Sequence, residues 1–209
     1  MAYTLYELKP AFQALLRPTA GRLAGAGVTA NQVTLAATMV SIAVGAAVAT
    51  SAAMDLATWP FLLLPLWFLP RMALNALDGM LAREFGKASP LGAYLNELSD
   101  VVSDAALYVP FAFVEPFGPW SIGAVIFAAM VSELAGVLGP MVGASRRYDG
   151  PMGKSDRALV FGLLAICIGV FGPLPALAYW AMPLITVAIG WNVVNRVHRG
   201  AAEASRSRR

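Results

Sequence analysis

Charge and cysteine are what this sequence has least of. Only 13% of its 209 residues are Asp, Glu, Lys or Arg, about half the share typical of a water-soluble domain. A soluble helical domain of this length must still cover its surface with polar side chains, and there are too few here. The single cysteine, Cys167, excludes an internal disulfide and, lying in an apolar run, is silent on redox compartment. The single histidine, His198, stands in a basic stretch without Cys or carboxylate at metal-ligand spacing, which argues against zinc. Residues 2–25 lack the basic start, short apolar core and small-residue cleavage site of a secretory signal.

What is present is apolar, 58% of the chain. Six stretches stand out: Asn31 to Ser51, Trp59 to Leu77, Gly92 to Phe113, Trp120 to Val142, Ala158 to Phe171 and Leu174 to Val194. Most reach the roughly 20 residues that cross a hydrocarbon core; the fifth is short. Thr29 and Gln32 have the spacing of a capping box at the start of the first stretch. Ahead of it, Leu5, Leu8, Phe12, Leu15 and Leu16 recur at near-helical spacing between Glu7, Lys9, Gln13 and Arg17, the pattern of an amphipathic helix lying in the interface. Pro10 would start or kink that helix. The expected fold class is therefore an all-α integral membrane protein, six transmembrane helices preceded by an N-terminal amphipathic interfacial helix. One domain is expected over 1–209, with the interfacial segment at 3–25, the bundle at 29–195 and a basic tail at 196–209.

Orientation follows from Lys and Arg. With six spans and the N-terminus in the cytoplasm, every one of the 15 basic residues except Arg71 falls on the cytoplasmic side. The opposite loops, near Ala52 to Thr58, Glu115 to Pro119 and Gly172 to Leu174, hold none. Both termini are expected in the cytoplasm. Tryptophans 59, 67, 120, 180 and 191 lie mostly near span ends and read as interfacial anchors. The tail from Arg196 to Arg209 suits anionic lipid headgroups, and no other feature supports nucleic-acid binding.

Ionisable residues inside spans are costly and are functional candidates by default. Arg71, Asp78, Glu97, Asp100, Asp104 and Glu133 lie in or beside apolar runs. Asn75 and Asp78 share one helical face; Gly92, Asn96, Asp100 and Asp104, spaced by four, form one stripe. Two helices joined by a short polar loop can turn these faces towards one cavity, with Gly79 and Gly92 leaving room for a ligand. Clustered oxygen ligands suit Mg²⁺ or Mn²⁺, ions that also bind phosphates. The plainer alternative, hydrogen bonding between helices, accounts for one such residue better than for an aligned set. Arg71 and Glu133 could pair within the bundle.

The segment reads Asn75-Ala76-Leu77-Asp78-Gly79-Met80-Leu81-Ala82-Arg83, then eight residues, then Gly92-Ala93-Tyr94-Leu95-Asn96-Glu97-Leu98-Ser99-Asp100. It resembles the signature of the CDP-alcohol phosphotransferases, Asp-x2-Asp-Gly-x2-Ala-Arg-x8-Gly-x3-Asp-x3-Asp. Every spacing agrees, and Asp78, Gly79, Ala82, Arg83, Gly92 and Asp100 agree in type. Asn75 and Asn96 stand where the family has its first and third aspartates. The resemblance implies transfer of a phosphoalcohol, in the phosphatidyl case from CDP-diacylglycerol, to an acceptor hydroxyl with release of CMP. It implies metal ligation by the signature positions, here Asn75, Asp78, Asn96 and Asp100, with Asp100 as the general base. Asparagine offers a carbonyl oxygen but no charge, so one or two ions are conceivable, with Glu97 or Asp104 as substitutes. Gly79, Ala82, Arg83 and Gly92 are the implied donor contacts.

In the loop Arg146-Arg147-Tyr148-Asp149-Gly150-Pro151-Met152-Gly153-Lys154-Ser155-Asp156-Arg157, Gly153-Lys154 is similar to a family segment that receives phosphorylated acceptors. Arg146, Arg147, Lys154 and Arg157 are the candidate phosphate ligands, and glycerol 3-phosphate the expected acceptor. Cytoplasmic positive charge alone is the plainer reading of that loop. A homodimer in a bacterial inner membrane, with the active site on the cytoplasmic face, is expected by the same resemblance. Two rivals stand beside it. An inactive lipid- or nucleotide-binding relative rests on Asn75 and Asn96. A cation transporter would need polar residues beyond Asp104, where the chain runs Ala105-Ala106-Leu107-Tyr108-Val109-Pro110-Phe111.

Overall fold

A computed structural model describes residues 9–207. Those residues form helices: α1 (Lys9–Gly25), α2 (Ala30–Ala53), α3 (Leu63–Glu84), α4 (Pro90–Tyr108), α5 (Pro119–Val137), α6 (Lys154–Phe171) and α7 (Ala181–Ser207). Short 3-10 turns precede α3 and α7 and follow α4 and α5. Each of the six apolar stretches coincides with one of α2 to α7. Four segments are long and apolar enough to cross a membrane: Ala30–Ala53, Trp59–Glu84, Pro119–Val137 and Ala176–Arg206. The remaining two helices carry charge, Glu97, Asp100 and Asp104 on α4 and Lys154, Asp156 and Arg157 at the head of α6. Met39, Leu69, Phe127 and Val187 are more than two-thirds exposed, an apolar surface that suits lipid tails rather than water.

The chain divides into two compact units. The first runs to Ala43 and takes in Leu66–Ser103; the second holds Val44–Pro65 and everything from Asp104 on.

In the first unit, Ala20, Ala30, Val33, Leu77, Met80 and Leu81 are buried together, with Leu16, Leu23 and Leu74 packed on them. This core holds α1 against the first turns of α2 and the last turns of α3. Burying a leucine such as Leu81 fully contributes about 1.5–3 kcal/mol where water is the alternative. Polar ties add to it. Arg17 Nε donates to Glu84 at 3.0 Å, and Lys87 Nζ donates to the carbonyl of Val28 at 2.7 Å. The capping box forms as its spacing requires: Thr29 N donates to Gln32 Oε1 at 2.9 Å and Gln32 N to Thr29 Oγ1 at 3.2 Å. Of the interfacial segment expected at 3–25, residues 3–8 lie outside the described residues and α1 spans the rest, Lys9–Gly25. Pro10 falls in the first turn, where a missing N–H costs nothing, while Pro18 is carried inside the helix.

In the second unit, α5 packs against α7. The centre is aromatic, with Tyr108 stacked on Phe161 at 4.0 Å and Phe111 edge-on to Phe61 and Phe161 at 5.2 and 5.0 Å. Gly45 sets the approach of α2 to α4 here, since a Cβ at that position would lie 2.2 Å from the carbonyl oxygen of Ala106. Small residues at such crossings let backbones meet, which matters where lipid offers no hydrophobic drive between helices.

Candidate active site

Arg71, Asn75 and Asp78 fall at offsets of zero, four and seven on α3, so they line one face. Pro70 precedes them and withholds one helix hydrogen bond. On α4, Gly92, Asn96 and Asp100 repeat every four residues. The first unit brings the two faces together. Asn75 Nδ2 donates to Asp100 Oδ1 at 3.2 Å. Arg71 Nη2 lies 3.7 Å from the same oxygen and 3.3 Å from the Asp100 backbone carbonyl. Asp78 is buried, its Oδ2 accepting from the Thr34 hydroxyl of α2 at 2.8 Å. Asp100 remains 22% exposed against 5% for Arg71, so the carboxylate edge opens while its cationic partner is enclosed. Asn96 and Glu97 are half-buried.

The signature glycines have specific neighbours. A Cβ on Gly79 would meet the Arg83 guanidinium at 2.7 Å, so the absent side chain is what lets Arg83 lie back along its own helix one turn on. A Cβ on Gly92 would come within 2.7 Å of Asn31 Oδ1 and 3.0 Å of Ser89 Oγ, and Ser89 Oγ accepts the Gly92 amide at 2.9 Å. Ala82 is packed on the α1–α3 core.

The basic loop belongs to the second unit, where two of its residues are held by carboxylates. Arg157, with no side-chain exposure, donates to Asp104 Oδ2 at 3.2 Å and to Glu133 Oε1 at 3.0 Å. Arg196 lies 3.5 Å from Glu133 Oε2 and donates to the carbonyl of Ser132. Arg147 pairs with Asp149 at 2.6 Å and with Glu203, and Arg199 pairs with Asp149 at 2.9 Å. Burial pushes Asp149 up, but hydrogen bonds from Arg199 and Arg147 outweigh it and hold the carboxyl below its usual value. Asn192 Nδ2 ties the loop down through the carbonyl of Pro151 at 2.9 Å, and its Oδ1 accepts from Ser132 at 3.0 Å. Arg146 and Lys154 are half-buried.

Several sequence expectations change partners. Arg71 and Glu133, considered above as a pair, have separate ones: Arg71 meets Asp100, and Glu133 meets Arg157 and Arg196. Asp104, a candidate metal ligand, is engaged by Arg157, because a buried guanidinium needs a counter-charge more than a hydrated ion does. Arg196 opened the expected basic tail but is only 3% exposed, and α7 runs on to Ser207. A signal for it was present: Asn192, Arg196, Arg199 and Glu203 follow offsets of zero, four, seven and eleven, a polar stripe on one helical face. Thr34 was missed, since a threonine in an apolar helix carries no sign of its partner.

The sequence model of the CDP-alcohol phosphatidyltransferases matches residues 27–194. The chain belongs to that family. This CDP-alcohol phosphotransferase is an integral membrane enzyme of phospholipid synthesis. It is 43% identical over 196 residues to the Escherichia coli inner membrane protein YnbA, covering 92% of this chain and 94% of that one. Against the phosphatidylinositol phosphate synthase of Mycolicibacterium smegmatis it is 29% identical over 196 residues, 91% of this chain and 85% of the other. Its fold is shared with the Mycobacterium tuberculosis phosphatidylinositol phosphate synthase crystallised with CDP-DAG, at a TM-score of 0.67 and 22% identity, over 88% of this chain and 92% of that one.

The family resemblance implies divalent metal, and the donor set can be tested against it. Asp78, Asp100 and the asparagine carbonyls are hard oxygen donors of the kind Mg²⁺ and Mn²⁺ take. Among the described residues no group of three or more His, Cys, Asp or Glu side chains gathers for a metal. Asp78, Asp100 and Arg71 together carry a net charge of −1. Two dications about 4 Å apart repel by about 17 kcal/mol at an effective dielectric of about 20. Four carboxylates would offset more of that repulsion than Asp78 and Asp100 do. The hard-oxygen donors present fit a dication, with half the carboxylate charge of the family signature.

Proposed function

We propose that this phosphotransferase moves a phosphatidyl group from a CDP-linked lipid such as CDP-diacylglycerol to a hydroxyl of a phosphorylated polyol. The observation that carries the reading is the meeting of Asn75 with Asp100 across α3 and α4, at 3.2 Å and with Asp78 one turn along the same face, at the motif positions. The acceptor oxygen bonds to the β-phosphorus of the donor as the bond from that phosphorus to the CMP oxygen breaks. CMP leaves with the electron pair, and the acceptor's proton passes to Asp100. Positioning and electrostatics dominate such transfers. A divalent ion held by Asp78, with Asn75 and Asn96 as further oxygen donors by their motif positions, would supply Lewis acidity and charge neutralisation. Gly79, Ala82, Arg83 and Gly92 would lie along the cytidine diphosphate.

For the acceptor, the support is in the second unit. Nε of Arg157 and of Arg196 are buried donors with no hydrogen-bond partner among the described residues, and phosphate oxygens are natural acceptors for guanidinium. Asp104 and Glu133 pair with those two guanidiniums, and Arg147 pairs with Asp149 and Glu203, so the positive charge of Arg146 and Lys154 in the same loop adds to what a phosphate dianion would meet. Glycerol 3-phosphate fits this chemistry. So does an inositol phosphate, the class of acceptor that the names of the M. smegmatis enzyme and of the Aeropyrum pernix archaetidylinositol phosphate synthase point to.

The membrane arrangement proposed is six spans, α2 to α7, with α1 in the interface, both termini and the active site cytoplasmic, and the chain acting as one domain and as a homodimer. Helices α4 and α6, of 19 and 18 residues, reach about 28.5 and 27 Å, near the roughly 30 Å of a hydrocarbon core. The positive-inside distribution supports the orientation, and the E. coli relative's name supports a bacterial inner membrane.

The test is CMP release by protein in micelles, with CDP-diacylglycerol, Mg²⁺ or Mn²⁺, and glycerol 3-phosphate, an inositol phosphate, glycerol or inositol as acceptor. Release that requires one phosphorylated acceptor and stops on chelation supports the reading. Equal release with glycerol or inositol removes the phosphate from it. Donor binding without release under any acceptor turns the chain into a non-catalytic binder.

A further inference from the structure

Two donors converge on one oxygen of Asp100. Asn75 Nδ2 reaches Oδ1 at 3.2 Å and Arg71 Nη2 stands 3.7 Å from it. A carboxylate at position 75 would instead set two carboxylate oxygens at hydrogen-bonding distance, an arrangement that needs a shared proton or a cation lodged against both. The amide of Asn75 needs no such cation. Arg71 is also placed for this task. It is 4% exposed, one turn from Asn75 on the face that carries Asp78, and fixed by the Asp100 carbonyl at 3.3 Å. An arginine within an otherwise apolar helix persists only with a partner inside the bundle.

We propose that Arg71 is a built-in cation at Asp100, taking the place of a second metal ion, so that the site binds a single dication on the Asp78 side. This rests on the transferase reading and specifies its electrostatics. The guanidinium is tethered to the chain, and Asn75 donates to Oδ1 without adding charge. Loss of two carboxylates from the signature and the presence of Arg71 are then one adjustment: fewer anions, one fewer mobile cation. Arg71 acts through Asp100 and through the charge it contributes, and is a positioning residue.

The experiment counts Mn²⁺ by equilibrium binding and electron paramagnetic resonance on the full chain in micelles with CDP-diacylglycerol. The expected result is one ion per chain with an uncoupled six-line spectrum. Asn75→Asp with Arg71 retained stays at one, as does Arg71→Lys. Arg71→Met combined with Asn75→Asp and Asn96→Asp admits a second ion and gives a spin-coupled spectrum. Two coupled ions in the unaltered chain overturn the proposal, and that count needs no variant to fold. CMP release with no bound Mn²⁺ overturns it too while leaving the transferase standing. Absence of both donor binding and CMP release removes the transferase reading and this inference with it.

Discussion

The cluster on α3 and the first turns of α4 is short of charge: two carboxylates, one guanidinium, and asparagine at the two remaining signature positions. The cluster formed by Asp104, Glu133, Arg157 and Arg196 is balanced, two anions against two cations, and its central guanidinium has no exposure at all. The contrast separates two uses of charge. Groups sealed in apolar surroundings have to be neutralised within the protein, because each unpaired ion costs several kcal/mol. A cluster that keeps Asp100 22% exposed leaves a carboxylate edge that a bound cation could reach, which is how the proposed transferase would use it.

The largest effect should come from removing the one exposed carboxylate of the charge-poor cluster. Asp100→Asn keeps the shape and the hydrogen bond with Asn75 but loses the proton acceptor, and CMP release should fall by about 10²–10⁴-fold. Donor binding should change much less, read by retention of CDP-diacylglycerol on the protein. If turnover survives in Asp100→Asn, the reactive cluster is not this one and the comparison inverts.

Next in size is the balanced cluster. Glu133 is the shared partner of Arg157 and Arg196, so Glu133→Ala leaves one guanidinium on Asp104 and the other on a carbonyl. Breaking a buried pair from one side costs about 3–5 kcal/mol; with the Glu133 side chain 15% exposed, the lower end is expected, about 3 kcal/mol. For a chain of this size that is a fall of roughly 6–12 °C in melting temperature in micelles. Glu133→Gln, whose single carbonyl oxygen still accepts from one of the two guanidiniums, should fall by less than Glu133→Ala. A melting temperature unchanged in Glu133→Ala would show that the network is not what holds the second unit together.

The two clusters were not equally legible. Spacing alone put Asn75 and Asp78 on one face and Asn96 and Asp100 on another, and the Thr29–Gln32 box marked the start of α2, because period and capping are local properties of the chain. Which side chain of one helix meets which of the next depends on rotation and register, and these are tertiary quantities. Hence Arg71 could be flagged as costly in a span but not assigned to Asp100, and Thr34 could not be flagged at all. In the balanced cluster Arg157 was legible as a candidate but its counter-charges were not, because Asp104 and Glu133 lie 53 and 24 residues away in sequence. All six apolar stretches were legible in the sequence, while the charges on α4 and at the head of α6 leave four segments long and apolar enough to cross a membrane by length and composition.

The smallest expected effect lies at the edge of the balanced cluster and depends on pH. Asp149 holds Arg147 and Arg199 to one loop, with contacts of 2.6 and 2.9 Å, and its folded carboxyl titrates below the usual value because those hydrogen bonds outweigh burial. For a depressed acid the sign is fixed. The stabilisation is fully present above the unfolded value, near pH 4, and is lost as pH falls through the lower folded value. Wild-type protein should therefore lose more stability than Asp149→Asn on acidification below about pH 5, read as a narrowing gap between their melting temperatures. At neutral pH the variant should be the less stable of the two, and the curves should converge on acidification. Parallel curves would mean that the Asp149 contacts contribute no net stability, and that the balance seen around Arg157 does not extend to this loop.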